Sequence, residues 1–285
     1  LLAIEDVKFF FLSNYTYGHT NACIVPESNQ GEQNDPTDTK QSAAGWYWTT
    51  GGGVFLPGDD RTSKLCLFLF HVGRRNDENS VWNFENIGGA MAVIDNPGEA
   101  VENWRVRQVP IPHTVTARQA REDGALKPTS WGMAAFLDSP DPPSGQSFVY
   151  IYGVRDTAPF NKQSLLARVR PAEIEHFASW RFYAGGDRWS SNASAAVPVA
   201  QRLVSEFSVE PCAIGDWRGY AMVHSEPVFG TRIFTRTAPR PEGPWSPPLP
   251  VFNVPDVKRK REFFTYAAKG HAHLSPPDAL LISYL

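Results

Sequence analysis

An excess of charge of one sign is missing: 27 basic residues stand against 30 acidic ones, a formal −3 over 285 residues. So balanced a surface does not hold a phosphate backbone by electrostatics, which argues against nucleic acid as the main partner. Long apolar runs are missing too. The longest, residues 65–72, is strand-sized, far short of the ~20 residues of a membrane-spanning helix. Cysteine is scarce. Cys23, Cys66 and Cys212 are odd in number, widely spaced and without a CxxC pair, so neither a disulfide framework nor a zinc site is indicated. Cys66 lies within an apolar run and is expected to be a buried thiol. No GxSxG, P-loop or HExxH sequence occurs. The run Thr50-Gly51-Gly52-Gly53 opens a strand rather than a helix and is no phosphate cradle. The chain starts Leu-Leu-Ala-Ile-Glu without a basic leader region, which reads as an internal start, and an extracytoplasmic or secreted location is the expectation.

What is present is a β vocabulary. Hydrophobic residues make up 42% of the chain, enough for a real core, and 24 Pro with 22 Gly leave little room for long helices. Aromatics reach 13% with nine Trp, a composition that serves either core packing or sugar stacking. Short apolar runs rich in Phe, Val, Ile, Leu and Tyr recur at 9–12, 53–56, 65–72, 90–94, 133–137, 148–154, 165–169, 221–224, 233–237 and 279–284, punctuated by Gly, Pro, Asp or Asn. The one helix-like stretch is 171–177, with Pro at its first position.

The runs repeat in order. Each unit has a Gly- or Ser-led strand, an apolar strand, a strand of small and β-branched residues, and a Trp-containing strand. Trp104, Trp180 and Trp245 close three successive units and are expected in blade cores. Four strands per unit is the pattern of a β-propeller blade. The chain therefore reads as a single all-β domain, a five-bladed β-propeller whose first and last blades are incomplete, with blades at about 6–27, 46–112, 128–186, 200–253 and 262–285. An all-β sandwich is the alternative. Residues 27–44 read as a polar surface loop, 118–127 as a charged linker, and Lys258-Arg259-Lys260-Arg261 as a basic loop.

Several stretches together resemble the domain of unknown function 4185 family, some of whose members are endo-D-arabinanases of glycoside hydrolase family 183. They are Phe148-Val149-Tyr150-Ile151-Tyr152-Gly153, Leu166-Ala167-Arg168-Val169, Ser179-Trp180-Arg181-Phe182-Tyr183, Glu206-Phe207-Ser208-Val209, Gly243-Pro244-Trp245-Ser246 and Tyr266-Ala267-Ala268-Lys269-Gly270-His271. The resemblance implies a five-bladed propeller similar to the furanosidases of glycoside hydrolase family 43. It also implies a furanose-containing polymer as substrate, no required cofactor, and a central cation near His271. It places Asn14 where that family usually carries an acidic residue, and an amide cannot exchange a proton as a carboxylate does.

Glycoside cleavage needs two carboxyl groups flanking the bond. In a propeller, inner strands converge on an axial pocket, so carboxylates near their starts are the candidates. Glu206 opens an inner strand among aromatic neighbours and suits a general acid. Asp156 follows an apolar strand beside Arg155, which would favour its ionised form. Glu226 is a weaker third, and Asp138 reads as turn chemistry. Trp48, Trp131 and Tyr266 are candidate stacking platforms. Arg155 and Arg232 could clamp hydroxyls or a carboxylate. His271 and His273 share one face of a strand; no metal site is assigned. The reading is a glycoside hydrolase acting on a polysaccharide or oligosaccharide; a non-catalytic sugar-binding propeller and a protein-binding scaffold are the alternatives.

Overall fold

The computed structural model describes residues 45–58, 62–75, 84–138, 147–158, 161–227, 230–255 and 265–285. The expected first blade, Asn14, Cys23 and the basic run 258–261 lie outside them. Within them the chain is all-β, built from successive antiparallel sheets, none of which closes into a barrel. No helix among the described residues is long and apolar enough to cross a membrane.

The first sheet is a meander of β1 (Trp46–Leu56), β2 (Lys64–Arg74), β3 (Phe84–Ile94) and β4 (Val106–Pro110). The second runs β5 (Thr129–Leu137), β6 (Val149–Ala158), β7 (Asn161–Val169), β8 (Arg181–Tyr183) and β9 (Trp189–Ser190), with β10 (Ala200–Leu203) also paired to β7. The third is β11 (Phe207–Ile214), β12 (Trp217–Ser225), β13 (Arg232–Ala238) and β14 (Leu249–Asn253). The fourth is a pair, β15 (Lys269–Gly270) and β16 (Ile282–Ser283).

Burial explains why the middle strands are continuously apolar. Along β6, Val149 and Ile151 join a core with Cys66, Phe68 and Met91 of the first sheet. Tyr150 and Tyr152 point the other way, into a core with Phe207, Val209 and Met222 of the third. Alternate residues thus serve different neighbours, and both faces are dry. Val223 and Ile233 meet Ala268 and Ile282 in the same manner. Consecutive sheets thus share cores in chain order. Cys66 is fully buried, as expected, and burial pushes its thiol up to about 12.

The first strands of the sheets adjoin. A Cβ on Gly52 of β1 would lie 2.0 Å from the Gly132 carbonyl oxygen of β5, so only glycine allows this approach. The Thr50 hydroxyl donates to that same carbonyl. Gly270 N donates to Ser208 Oγ at 2.7 Å, joining β15 to β11.

Four local expectations need correction. Residues 200–203 belong to the second sheet, because Ala200 and Gln201 pair with Ser164 and Gln163 of β7. The stretch 171–177 forms separate 3-10 turns, Pro171–Glu173 and Phe177–Ser179. The charged linker instead holds α1 (Ala117–Glu122), started by a capping box between Thr116 and Gln119. Of the closing tryptophans only Trp180 is fully buried. Trp104 is half-buried in the turn before β4, while Trp245, half-buried before β14, still packs against the second core beside Tyr152. Thr116→Ala should lower stability by about 1 kcal/mol, read as a shift in urea midpoint, because one orphan helix N–H loses its acceptor.

Candidate functional site

The antiparallel registers bring chemistry to one end of the sheets. Trp46 pairs with Val72, Thr129 with Arg155, and Phe207 with His224. First strands therefore start where second strands finish and third strands begin. A small, shallow cleft lies at that end, lined by Phe70, Asn86, Ser130, Asp156, Lys162 and Ser205 among others. Asn86 Nδ2 donates to Ser130 Oγ at 2.7 Å, tying the first sheet to the second beside the cleft.

Asp156 faces this cleft, and its carboxylate is ion-paired to Lys162 across the β6–β7 register. The expected partner, Arg155, points to the opposite side of β6, as adjacent strand residues must. It donates to the Ala196 carbonyl at 3.2 Å, and burial holds its guanidinium below its ordinary value. Glu206 is half-buried and directly follows the cleft residue Ser205. Among the described residues its carboxylate makes no hydrogen bond, but its charge acts on Lys269.

The aromatic candidates separate by burial. Trp48 is 40% exposed, edge-on to Phe84 at 4.6 Å and nearly parallel to Phe70 at 6.5 Å, so it stands beside the cleft with a free surface. Trp131 is 1% exposed, packs against Phe182, and donates from its ring N–H to the His113 carbonyl. No ring face is left for a ligand, so the stacking role expected of it is corrected to core packing. Tyr266 is 45% exposed, and its backbone pairs both ways with Leu285.

Glu226 and Arg232 consume each other. Arg232 Nε donates to Glu226 Oε1 at 3.0 Å, while Glu226 Oε2 accepts from Thr231 N. The Arg232 guanidinium holds the Glu226 carboxyl below the usual carboxylate range. The pair closes the β12–β13 turn rather than offering a free clamp. Asp138 accepts from the Tyr220 hydroxyl at 3.1 Å.

The residue that sequence reasoning missed is Lys269. Its ammonium donates to the Thr50 carbonyl at 3.0 Å and the Phe207 carbonyl at 2.8 Å, linking β15 to the first strand of the first sheet and the start of the third. Burial pulls it down to about 8, with the Glu206 charge opposing. A lone lysine in Ala-Ala-Lys-Gly carries no sequence signal of burial. His271 lies elsewhere. Its Nε2 is 2.7 Å from Ser283 Oγ, and burial, His273 and Lys269 hold it below the usual imidazole value. The residues do not fit a central cation near His271: that nitrogen is engaged, and the carbonyls where the strands meet are bound by an ammonium.

The sequence model of a domain of unknown function, DUF5005, matches residues 5–285. The chain belongs to the DUF5005 family. This corrects the resemblance to the 4185 family, whose motifs are short β-strand and turn patterns that unrelated meanders share. The furanose expectation and the weight placed on Asn14 rested on that resemblance and fall with it. No match was found among curated proteins. The DUF5005 domain is similar to a solved structure from Bacteroides ovatus, provisionally named a hydrolase, with a TM-score of 0.54 and 17% identity. The alignment covers 84% of this chain and 54% of that one, so the DUF5005 domain spans about half the length of that protein. At this identity the likeness concerns the fold alone.

Proposed function

We propose that the DUF5005 domain is a carbohydrate-active five-bladed β-propeller that hydrolyses glycosidic bonds of a polysaccharide. The observation that carries this reading is the cleft where the sheets converge, which has the Asp156 carboxylate in its wall, Glu206 next to its lining residue Ser205, and the exposed Trp48 ring beside it. Two carboxyl groups in unlike surroundings are what acid-assisted glycoside cleavage requires. Glu206 would serve as the acid, beside the lining residue Ser205. Asp156, paired with Lys162, would be the second carboxylate. Trp48 would carry a sugar ring on its apolar face.

The Asp156–Lys162 pair also favours a second reading, a sugar-binding propeller without catalysis, because an engaged carboxylate is a poor nucleophile or base. Incubation with a panel of plant, algal and bacterial polysaccharides, assayed for new reducing ends, separates the two. Release is the expected result. Glycan-array binding without release would select the second reading, and neither release nor binding would remove both. Trp48→Ala should weaken oligosaccharide binding about fivefold by titration calorimetry, in line with the ~1 kcal/mol worth of one aromatic contact.

A further inference from the structure

One cluster at this end of the molecule has no role in the reaction above. Arg236 of β13 is only 8% exposed. It spends Nη2 on the Gln201 carbonyl at 2.7 Å and Nε on His224 Nε2 at 3.4 Å. His224 is held by Nδ1 against the Ser225 carbonyl at 2.9 Å, which leaves Nε2 as the acceptor; burial pulls the ring down to about 4, so it is neutral at ordinary pH. Neither partner brings negative charge to the guanidinium. Among the described residues the charged group that acts on it is a second cation, Arg202, which pushes its value down along with burial. Among the described residues no carboxylate pairs with this buried guanidinium, which bonds the residue next to Arg202 instead, and a bound anion would complete the arrangement.

The backbone at Arg202 points the same way. It has φ 58°, a left-handed conformation that side chains other than glycine rarely adopt. The β10–β7 register shifts between Gln201 and Leu203, so Arg202 is the residue displaced by a bulge. Bulges re-aim side chains, and strain of this kind gathers at ligand sites. Arg202 is exposed, and the same short connection carries Ser205 of the cleft and Glu206.

We propose that Arg202 and Arg236 form an anion-binding subsite beside the cleft that receives the carboxylate of a uronic-acid residue in an acidic polysaccharide. This rests on the reading of the cleft as a glycan site and narrows it to a substrate class. A planar guanidinium fork matches a carboxylate through paired N–H donors.

The test is titration calorimetry of the whole chain with three probes of equal length: an oligogalacturonate, a dextran sulfate oligomer and neutral dextran. The oligogalacturonate is expected to bind at least tenfold more tightly than the neutral oligomer, with an affinity that falls as salt rises. Arg202→Gly keeps the left-handed backbone and removes the charge. It should cost the oligogalacturonate at least tenfold and leave the neutral oligomer unchanged. Arg202→Lys should retain part of the preference. Equal binding of neutral and acidic oligomers, or oligogalacturonate binding untouched by Arg202→Gly, would overturn the subsite while leaving the glycan reading in place. A preference for dextran sulfate would overturn the carboxylate assignment. Failure of all three probes to bind would take down the glycan reading, and the subsite with it.

Discussion

Lys269→Met should fall progressively further behind the wild type in stability as pH rises from about 8 to 10.5. Methionine keeps the apolar stem but leaves the Thr50 and Phe207 carbonyls without their donor. A buried carbonyl so orphaned costs about 1–3 kcal/mol. At neutral pH part of that loss is offset, because the wild type must hold a charged ammonium in a dry site. Lysine has an ordinary value of 10.5 and lies near 8 in the folded chain. Between those two values the unfolded state binds more protons than the folded one, so the Lys269 contribution to stability increases with pH across that window. Below about 8 the ammonium is charged in both states and the contribution is flat. The gain is on the order of 3 kcal/mol when the window is fully crossed. Buried Cys66 and Tyr152 have raised values and push the other way, so total stability can fall at high pH. The difference between the two proteins isolates the lysine. Urea midpoints at several pH values measure it; a gap that stays constant with pH would show that Lys269 is not buried where the strands meet.

How much of this was readable beforehand follows from what each feature depends on. The meander order was legible because local signals encode it. Gly or Pro follows most of the strands, and the run 148–154 is apolar throughout because β6 has a neighbouring sheet on each face. Facing was not legible. Trp131 and Arg155 sit at plausible positions along their strands, yet each points away from the cleft, and a shift of one residue decides that. Likewise, the partner of Asp156 is set by the cross-strand register with Lys162, not by its sequence neighbour. Lys269 and Arg236 were illegible for a further reason. Their burial is imposed by sheets distant in the chain, and nothing in a local window marks a cation that will lose its water.

Glu206→Gln should reduce glycoside cleavage by about 10³-fold while leaving sugar binding and the fold intact. Removing a general acid forfeits roughly 10²–10⁴ in rate. The amide preserves the shape of the side chain, and among the described residues no hydrogen bond to the carboxylate is lost. A secondary effect is expected at the neighbouring ammonium: with the Glu206 charge gone, Lys269 should shift further down, since that charge is what opposes its burial. This second signature separates a folded, altered site from a collapsed one.

The most direct measurement is a time course of reducing-end release from an acidic and a neutral polysaccharide, run side by side with the wild type and Glu206→Gln at matched concentration. The account predicts release by the wild type, faster from the acidic polymer, and almost none by the variant. Equal rates for the two proteins, or no release from any polymer, would contradict it.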